Sequence, residues 1–327
     1  MELRGIHHVT AMTSSAEKIY DFFTHILGLR LVKKTVNQDD IDTYHLFFAD
    51  DKGNPGTDMT FFDFKGIRKA RFGNNEISRT GFRVPDDKAL TYWKKRLEHY
   101  QVKHSDIKTI FQRKVIYFSD FDDQRYALFS DQENNGIASG EPWLKGPVPN
   151  EFAITGLGPV YITVNDLDYM DKILTNILKM RKTSKEGSLY SYEMGEGGNG
   201  GMVIIEESKI LPDAMQGYGG VHHVAFRVSD QEELLTWDKA LKMYQARTSG
   251  LVDRFYFESV YTRMYPNVLF ELATDGPGFI DDEENYETLG EKLALPPKYR
   301  NQRTYVESVV RPIDTIRSNK TYDKEYF

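Results

Sequence analysis

The sequence predicts an α+β protein built from four βαβββ modules, with two modules sharing each curved sheet. Three observations lead there. Short strands open four units, near residues 5, 79, 155 and 220. Each is followed by an amphipathic helical stretch, and two or three strand-like runs follow every helix. A unit of this size cannot cover both faces of its own sheet, so the units are expected to pair.

The opening strands fall at 6–11, 80–84, 160–164 and 221–228. In the first unit Ser14 and Glu17 read as a capping box, Ile19, Phe22, Phe23, Ile26 and Leu27 form the apolar stripe, and Gly28 stops the helix. The second helix starts at Pro85-Asp86 and carries Leu90, Trp93 and Leu97, and the third follows Asp166 with Leu167, Met170, Leu174 and Ile177. The fourth reads as a Ser229/Glu232 box ahead of Leu234, Leu235 and Leu241. Strands are expected after the helices at 44–49, 59–64, 255–261 and 268–272, with glycine-rich hairpin loops at 53–56 and 195–201. The Gly-, Pro- and Asn-rich stretch 130–150 reads as a linker. It separates an N-terminal domain, 1–135, from a C-terminal one, 151–280, and residues 281–327 form an extension in which the repeat stops. That extension holds an acidic run, a Pro296-Pro297 break and a weakly helical stretch at 301–310.

The 327 residues carry 28% charged and 40% hydrophobic side chains, an ordinary globular composition able to bury a substantial core. A net charge of −7 argues against nucleic acid or an anionic membrane as partner. No apolar run is long enough to cross a bilayer, no signal-peptide pattern opens the chain, and cysteine is absent, so a cytoplasmic location is expected. A homo-oligomer is compatible with all of this.

Two histidine pairs carry the chemistry: Gly5-Ile6-His7-His8-Val9-Thr10 and Gly220-Val221-His222-His223-Val224-Ala225. His8 and His223 lie 215 positions apart, which excludes a local zinc-finger loop. In Val268-Leu269-Phe270-Glu271 a carboxylate enters an otherwise apolar strand, a costly burial unless a cation meets it. Two imidazoles and one carboxylate make a facial triad with open positions, the set that non-haem iron(II) uses for oxygen chemistry. The middle units offer Gly81-Phe82 and Pro159-Val160-Tyr161 at the matching places, and Phe61 or Phe62 stands where the first unit would match Glu271. The middle half therefore reads as scaffold around a three-ligand cup. His25, His45, His99 and His104 read as surface or structural residues, and His222 as a core one.

Four such modules with these two histidine pairs resemble the vicinal oxygen chelate superfamily of glyoxalases, extradiol dioxygenases and bleomycin-resistance proteins. The chain is most similar to the ring-cleaving hydroquinone dioxygenases within it. The similarity is carried by Tyr44-His45-Leu46-Phe47-Phe48-Ala49-Asp50 with 53–57, by Asp253-Arg254-Phe255-Tyr256-Phe257-Glu258-Ser259-Val260-Tyr261, and by Leu269-Phe270-Glu271 followed by Gly278-Phe279. It implies two half-barrel sheets, with modules one and four paired around a metal. The implied ligands are His8, His223 and Glu271, and the implied metal is Fe(II), with Mn(II) able to fill the same site. The implied second-sphere residues are His7, Arg254 and Tyr261. The expected reaction opens a hydroquinone or related dihydroxy-aromatic with O2 to a muconic semialdehyde type of product. A catechol extradiol dioxygenase, or a non-catalytic metal- or quinone-binding protein, would use the same cup.

His7 and His8 are neighbours on a strand, so on an ideal strand they point to opposite faces. Their joint presence near one metal requires a bulge or strong twist at that place.

Overall fold

The computed structural model describes residues 1–281 and 283–327. Its first module runs β1 (Ile6–Met12), α1 (Ala16–Asp21), β2 (Arg30–Asn37), β3 (Asp40–Ala49) and β4 (Asp58–Phe62). The second comprises β5 (Glu76–Val84), α2 (Asp87–His99), β6 (Lys108–Ile110), β7 (Arg113–Ser119) and β8 (Arg125–Ser130). The third comprises β9 (Gly156–Val164), α3 (Leu167–Lys172), β10 (Arg181–Glu186), β11 (Leu189–Glu193) and β12 (Met202–Glu207). The fourth comprises β13 (Gly220–Val228), α4 (Gln231–Met243), β14 (Val252–Asp253), β15 (Glu258–Tyr265) and β16 (Val268–Thr274), and α5 (Arg303–Val309) lies in the extension.

The strands form two eight-stranded sheets, ordered β14-β15-β16-β13-β1-β4-β3-β2 and β10-β11-β12-β9-β5-β8-β7-β6. Modules one and four thus share one sheet and modules two and three the other, the pairing that a cup with ligands from both ends of the chain demands. Within each module the first and last strands run side by side in parallel, as β1 with β4 and β13 with β16. An antiparallel seam, β1 against β13, joins the two modules. One continuous core lies between the sheets and under the helices; Phe23 of the first module's helical segment touches both Phe61 of one sheet and Phe82 of the other.

Two expected caps sit one residue further along. Ser15, not Ser14, caps α1 by accepting from Lys18 N, because the Ser14 hydroxyl and amide are both taken by Asp122, at 2.6 and 2.8 Å. Asp230, not Ser229, caps α4 by accepting from Glu233 N at 2.9 Å, while Glu233 reaches back to the Ser229 amide at 3.0 Å. The arrangement resembles a capping box, except that the return bond goes to the residue before the cap instead of to the cap itself. The strand expected at 255–261 starts at Glu258, since Phe255 takes a positive φ of 71° in a tight turn closed by Arg254 N to Phe257 O.

The extension lies against the first sheet. Its acidic run meets Lys33 of β2, whose ammonium is fully buried 2.7 Å from Glu284 and 3.0 Å from Asp281. Further on, Tyr299 donates to the carbonyl of Gln38 and Tyr305 to the Asp42 carboxylate, so the extension straps the β2–β3 hairpin.

Candidate metal centre and active site

The seam strands β1 and β13 bring the two histidine pairs together, and each pair sits at a break in register. The pairing skips from Ile6 to His8 on β1, and from Thr10↔His223 to Ala11↔Val221 between the strands. These bulges are the irregularity that adjacent histidines require, and they turn both rings of each pair toward one region.

The three proposed ligands converge. His8 Nε2 lies 3.2 Å from His223 Nε2 and 3.2 Å from Glu271 Oε2, and His223 Nε2 lies 2.9 Å from the same oxygen. Ligand atoms about 2.1 Å from an octahedral ion stand about 3.0 Å apart in cis positions, so the triangle is the size of one octahedral face. All three residues are buried. Glu271 Oε1 accepts from the Ser259 hydroxyl, but Oε2 is sealed from solvent without a hydrogen-bond donor. Burial alone would raise the Glu271 pKa, yet the neighbouring His8 and His223 hold it well below the ordinary value. An anionic oxygen facing two imidazole nitrogens fits a divalent cation.

The first histidine of each pair fixes the second. His7 Nε2 lies 3.0 Å from the Thr274 carbonyl, which only accepts, so this nitrogen carries the proton and Nδ1 is bare. The 2.9 Å contact from His7 Nδ1 to His8 Nδ1 then needs a proton on His8 Nδ1, which leaves the His8 Nε2 lone pair for a metal. His222 and His223 repeat the contact, Nδ1 to Nδ1, at 2.8 Å. Burial, followed by the neighbouring imidazole, lowers His7 and His222 to a pKa of about 3, so both rings are neutral. His7 does not line the cavity, whereas His222, read from sequence as a core residue, does.

A cavity of about 470 Å³ opens in front of His8 and His223, walled by Phe47, Phe62, Phe64, Tyr256, Phe257 and Leu269. Arg254 and Tyr261 line it together, the guanidinium Nε donating to the phenol oxygen at 3.0 Å. Arg254 is held in turn by Asp39, at 3.0 and 3.2 Å, and by Gln38, whose side chain donates to the Arg254 carbonyl at 2.6 Å. Burial and then the Glu271 charge raise the Tyr261 phenol above its ordinary value, so it is protonated. With its oxygen accepting from Arg254 and Ser259 beside it, the Tyr261 hydroxyl stands at the cavity wall in position to move a proton.

Register identifies what the other modules hold at these positions. The Glu271 partner on β13 is Ala225, two residues after His223, and the residue two after His8 is Thr10, paired with Thr60. Thr60, rather than Phe61 or Phe62, therefore matches Glu271. Phe82-Arg83-Val84 matches Phe226-Arg227-Val228, which puts Arg79, rather than Gly81 or Phe82, in the place of His223. Arg79 stacks over Tyr117 at 4.0 Å and faces Tyr161 across β5 and β9, so this sheet has a cation where the first has a ligand. Among the described residues the triad is the only cluster of three such groups. His45, read as surface or structural, lines the same cavity as His8 and His223. Its hydrogen-bond partner Thr60 comes from β4 and is held in turn by Thr10 of β1, a placement that a lone histidine in β3 does not announce.

Residues 5–138 match the family model of the Glyoxalase/Bleomycin resistance protein/Dioxygenase superfamily. A Bacillus subtilis protein named as a ring-cleaving dioxygenase, MhqA, is 44% identical over 318 residues, covering 96% of this chain and all of that one. The chlorohydroquinone/hydroquinone 1,2-dioxygenase of Sphingobium indicum is 32% identical, over 90% of this chain and 92% of its own. A solved Bacillus subtilis structure, described as a dioxygenase, superposes with a TM-score of 0.88 at 34% identity, covering 96% of this chain and 99% of that chain. With its buried triad, paired half-barrel sheets and full-length similarity, the chain belongs to the ring-cleaving dioxygenases of this superfamily.

Proposed function

We propose that this enzyme is an iron(II)-dependent dioxygenase that opens the ring of a hydroquinone or closely related dihydroxy-aromatic, giving a muconic semialdehyde type of product. The observation that carries the reading is the facial His8–His223–Glu271 set, with its donorless carboxylate oxygen, at the end of an aromatic-walled cavity holding Arg254 and Tyr261. Similarity to the Sphingobium enzyme supports the choice of a para-diol. His8, His223 and Glu271 would hold the iron, which on binding supplies acidification of a phenol and activation of dioxygen.

The protein's own groups do the rest. Phe47, Phe62 and Phe257 hold the ring and exclude water. A para-diol cannot chelate one ion through both oxygens, so side chains must orient it and balance its charge. Arg254, fixed by Asp39, stabilises negative charge that develops on oxygen, and Tyr261 supplies a proton from Oη. His7, tied to the Thr274 carbonyl, holds His8 in the tautomer that leaves Nε2 unprotonated, and His222 makes the matching Nδ1 contact to His223. The test is oxygen uptake by iron-loaded protein with hydroquinone, catechol, and methylglyoxal plus glutathione. Hydroquinone-dependent uptake with loss of the aromatic absorbance supports the reading. Uptake with catechol alone replaces it with extradiol cleavage, and binding without uptake replaces it with sequestration.

A further inference from the structure

His45 lies in the middle of β3 and faces the same cavity as the triad. Thr60, the counterpart of Glu271, lies opposite Phe47 as Glu271 lies opposite Tyr261, which makes His45 the counterpart of Ser259. In module four that pair is Ser259 donating to the ligand Glu271. In module one it is His45 Nε2 on Thr60 Oγ1 at 2.9 Å, with Thr60 Oγ1 on Thr10 Oγ1 at 2.7 Å. The same position that helps build the metal centre in one half presents an imidazole to the cavity in the other.

This imidazole is fixed. Its Nε2 is tied to a threonine that is itself tied, and its faces are packed by Phe47 and Phe62, with ring centroids 4.0 and 4.4 Å away. Its Nδ1 has no protein partner among the described residues and is not among the sealed polar atoms, so it is open to the cavity. Burial, then the charges of His8, His223 and Arg254, push its pKa well below the ordinary value, so the ring is neutral and offers Nδ1 as one directional hydrogen bond. β4 lies between β3 and β1, and His45 is level with Phe62 and so with Met12, four residues along β1 from His8. His45 and the triad therefore meet across the cavity they both line, whose volume of about 470 Å³ holds an aromatic ring bound by one oxygen at the triad with a second oxygen on its far carbon.

We propose that His45 Nδ1 hydrogen-bonds the hydroxyl on the ring carbon opposite the triad-bound oxygen, making His45 the residue that selects para-diols. The proposal rests on the hydroquinone reading of the site. A catechol carries no hydroxyl at that place, and neither does a simple phenol.

The experiment measures anaerobic dissociation constants of iron-loaded protein for hydroquinone and for phenol, alongside hydroquinone turnover, in wild type, His45→Phe and His45→Asn. Wild type should bind hydroquinone roughly five- to tenfold more tightly than phenol, the worth of one added hydrogen bond. His45→Phe should bring that ratio to about one, with phenol affinity and iron content unchanged, and His45→Asn should restore part of it. The hydroquinone KM should rise by the same factor in His45→Phe. If both affinities fall together, His45 only packs the wall and the proposal fails; an unchanged ratio also ends it. If His45→Phe does not fold, the His45→Asn ratio decides by itself. A wild type that cleaves hydroquinone while failing to discriminate it from phenol overturns the role of His45 alone. A wild type that takes no para-diol overturns the functional reading and this one with it.

Discussion

The Thr274 carbonyl acts on the metal site without touching it, through His7 and then His8. Because a carbonyl only accepts, one proton position propagates along 3.0 and 2.9 Å contacts until the His8 Nε2 lone pair faces Glu271. Removing the relay should loosen the metal without destroying the site. His7→Phe and His222→Phe should each weaken iron binding roughly 10- to 100-fold in chelator competition, whereas His8→Ala, His223→Ala or Glu271→Ala should abolish it. Equal loss in both groups of variants would make the first histidines ligands instead of orienters. Tyr261→Phe and Arg254→Ala should retain iron and lower hydroquinone turnover by roughly 100-fold or more. Full activity in both would remove them from the chemistry. At this scale the sequence announces a great deal, because a doubled His-His and a carboxylate in an apolar strand are rare local patterns. It is silent on Thr60 and His45, whose partners are set by strand register and not by neighbours along the chain.

At the level of elements, the strap formed by the extension shows what local pattern misses. Asp281 and Glu284 read from sequence only as part of an acidic run, but they are the counter-ions of Lys33, an ammonium with no exposure. Burial raises the Glu284 pKa, and Lys33 opposes that rise. Lys33→Met should therefore leave Glu284 buried and unpaired, costing about 3–5 kcal/mol in urea denaturation. Lys33→Met combined with Glu284→Gln should recover most of that loss; a single variant as stable as wild type would show that the pair carries no weight. The caps of α1 and α4 were legible as capping signals but were placed one residue early. Two capping residues stand side by side at both helix starts, Ser14-Ser15 and Ser229-Asp230, and a tertiary partner, Asp122, claims Ser14.

For the molecule as a whole, four modules and their pairing were readable from periodicity and from the separation of the ligands, since only modules one and four carry them. The register of the seam was legible only in part: the adjacent His7 and His8 call for an irregularity on β1, but nothing in the sequence announces the second shift, at His222 on β13. Global stability should carry a pH signature from outside the metal site. Asp120, buried beneath the Asp122 and Gln124 amides and the Tyr126 hydroxyl, is raised to a pKa of about 7 by burial. A carboxyl raised in the folded state binds its proton more tightly there than in the unfolded chain. Its contribution is therefore present below about pH 4 and is lost as the pH climbs to about 7. Metal-free protein should lose stability across that window, by up to about 4 kcal/mol from this one group. Asp120→Asn should flatten the curve there; an identical slope in both proteins would show that Asp120 ionises normally.

The seam between β1 and β13 also orders events during synthesis. His8 is made before, and Glu271 after, every strand of the second sheet. A nascent chain thus has no complete cup until β16 has been made, and β1 must wait, unpaired with β13, for its far partner. The complete cup is in this way withheld from any nascent chain that has not reached Glu271, and translation itself sets the moment at which the three ligands can first meet.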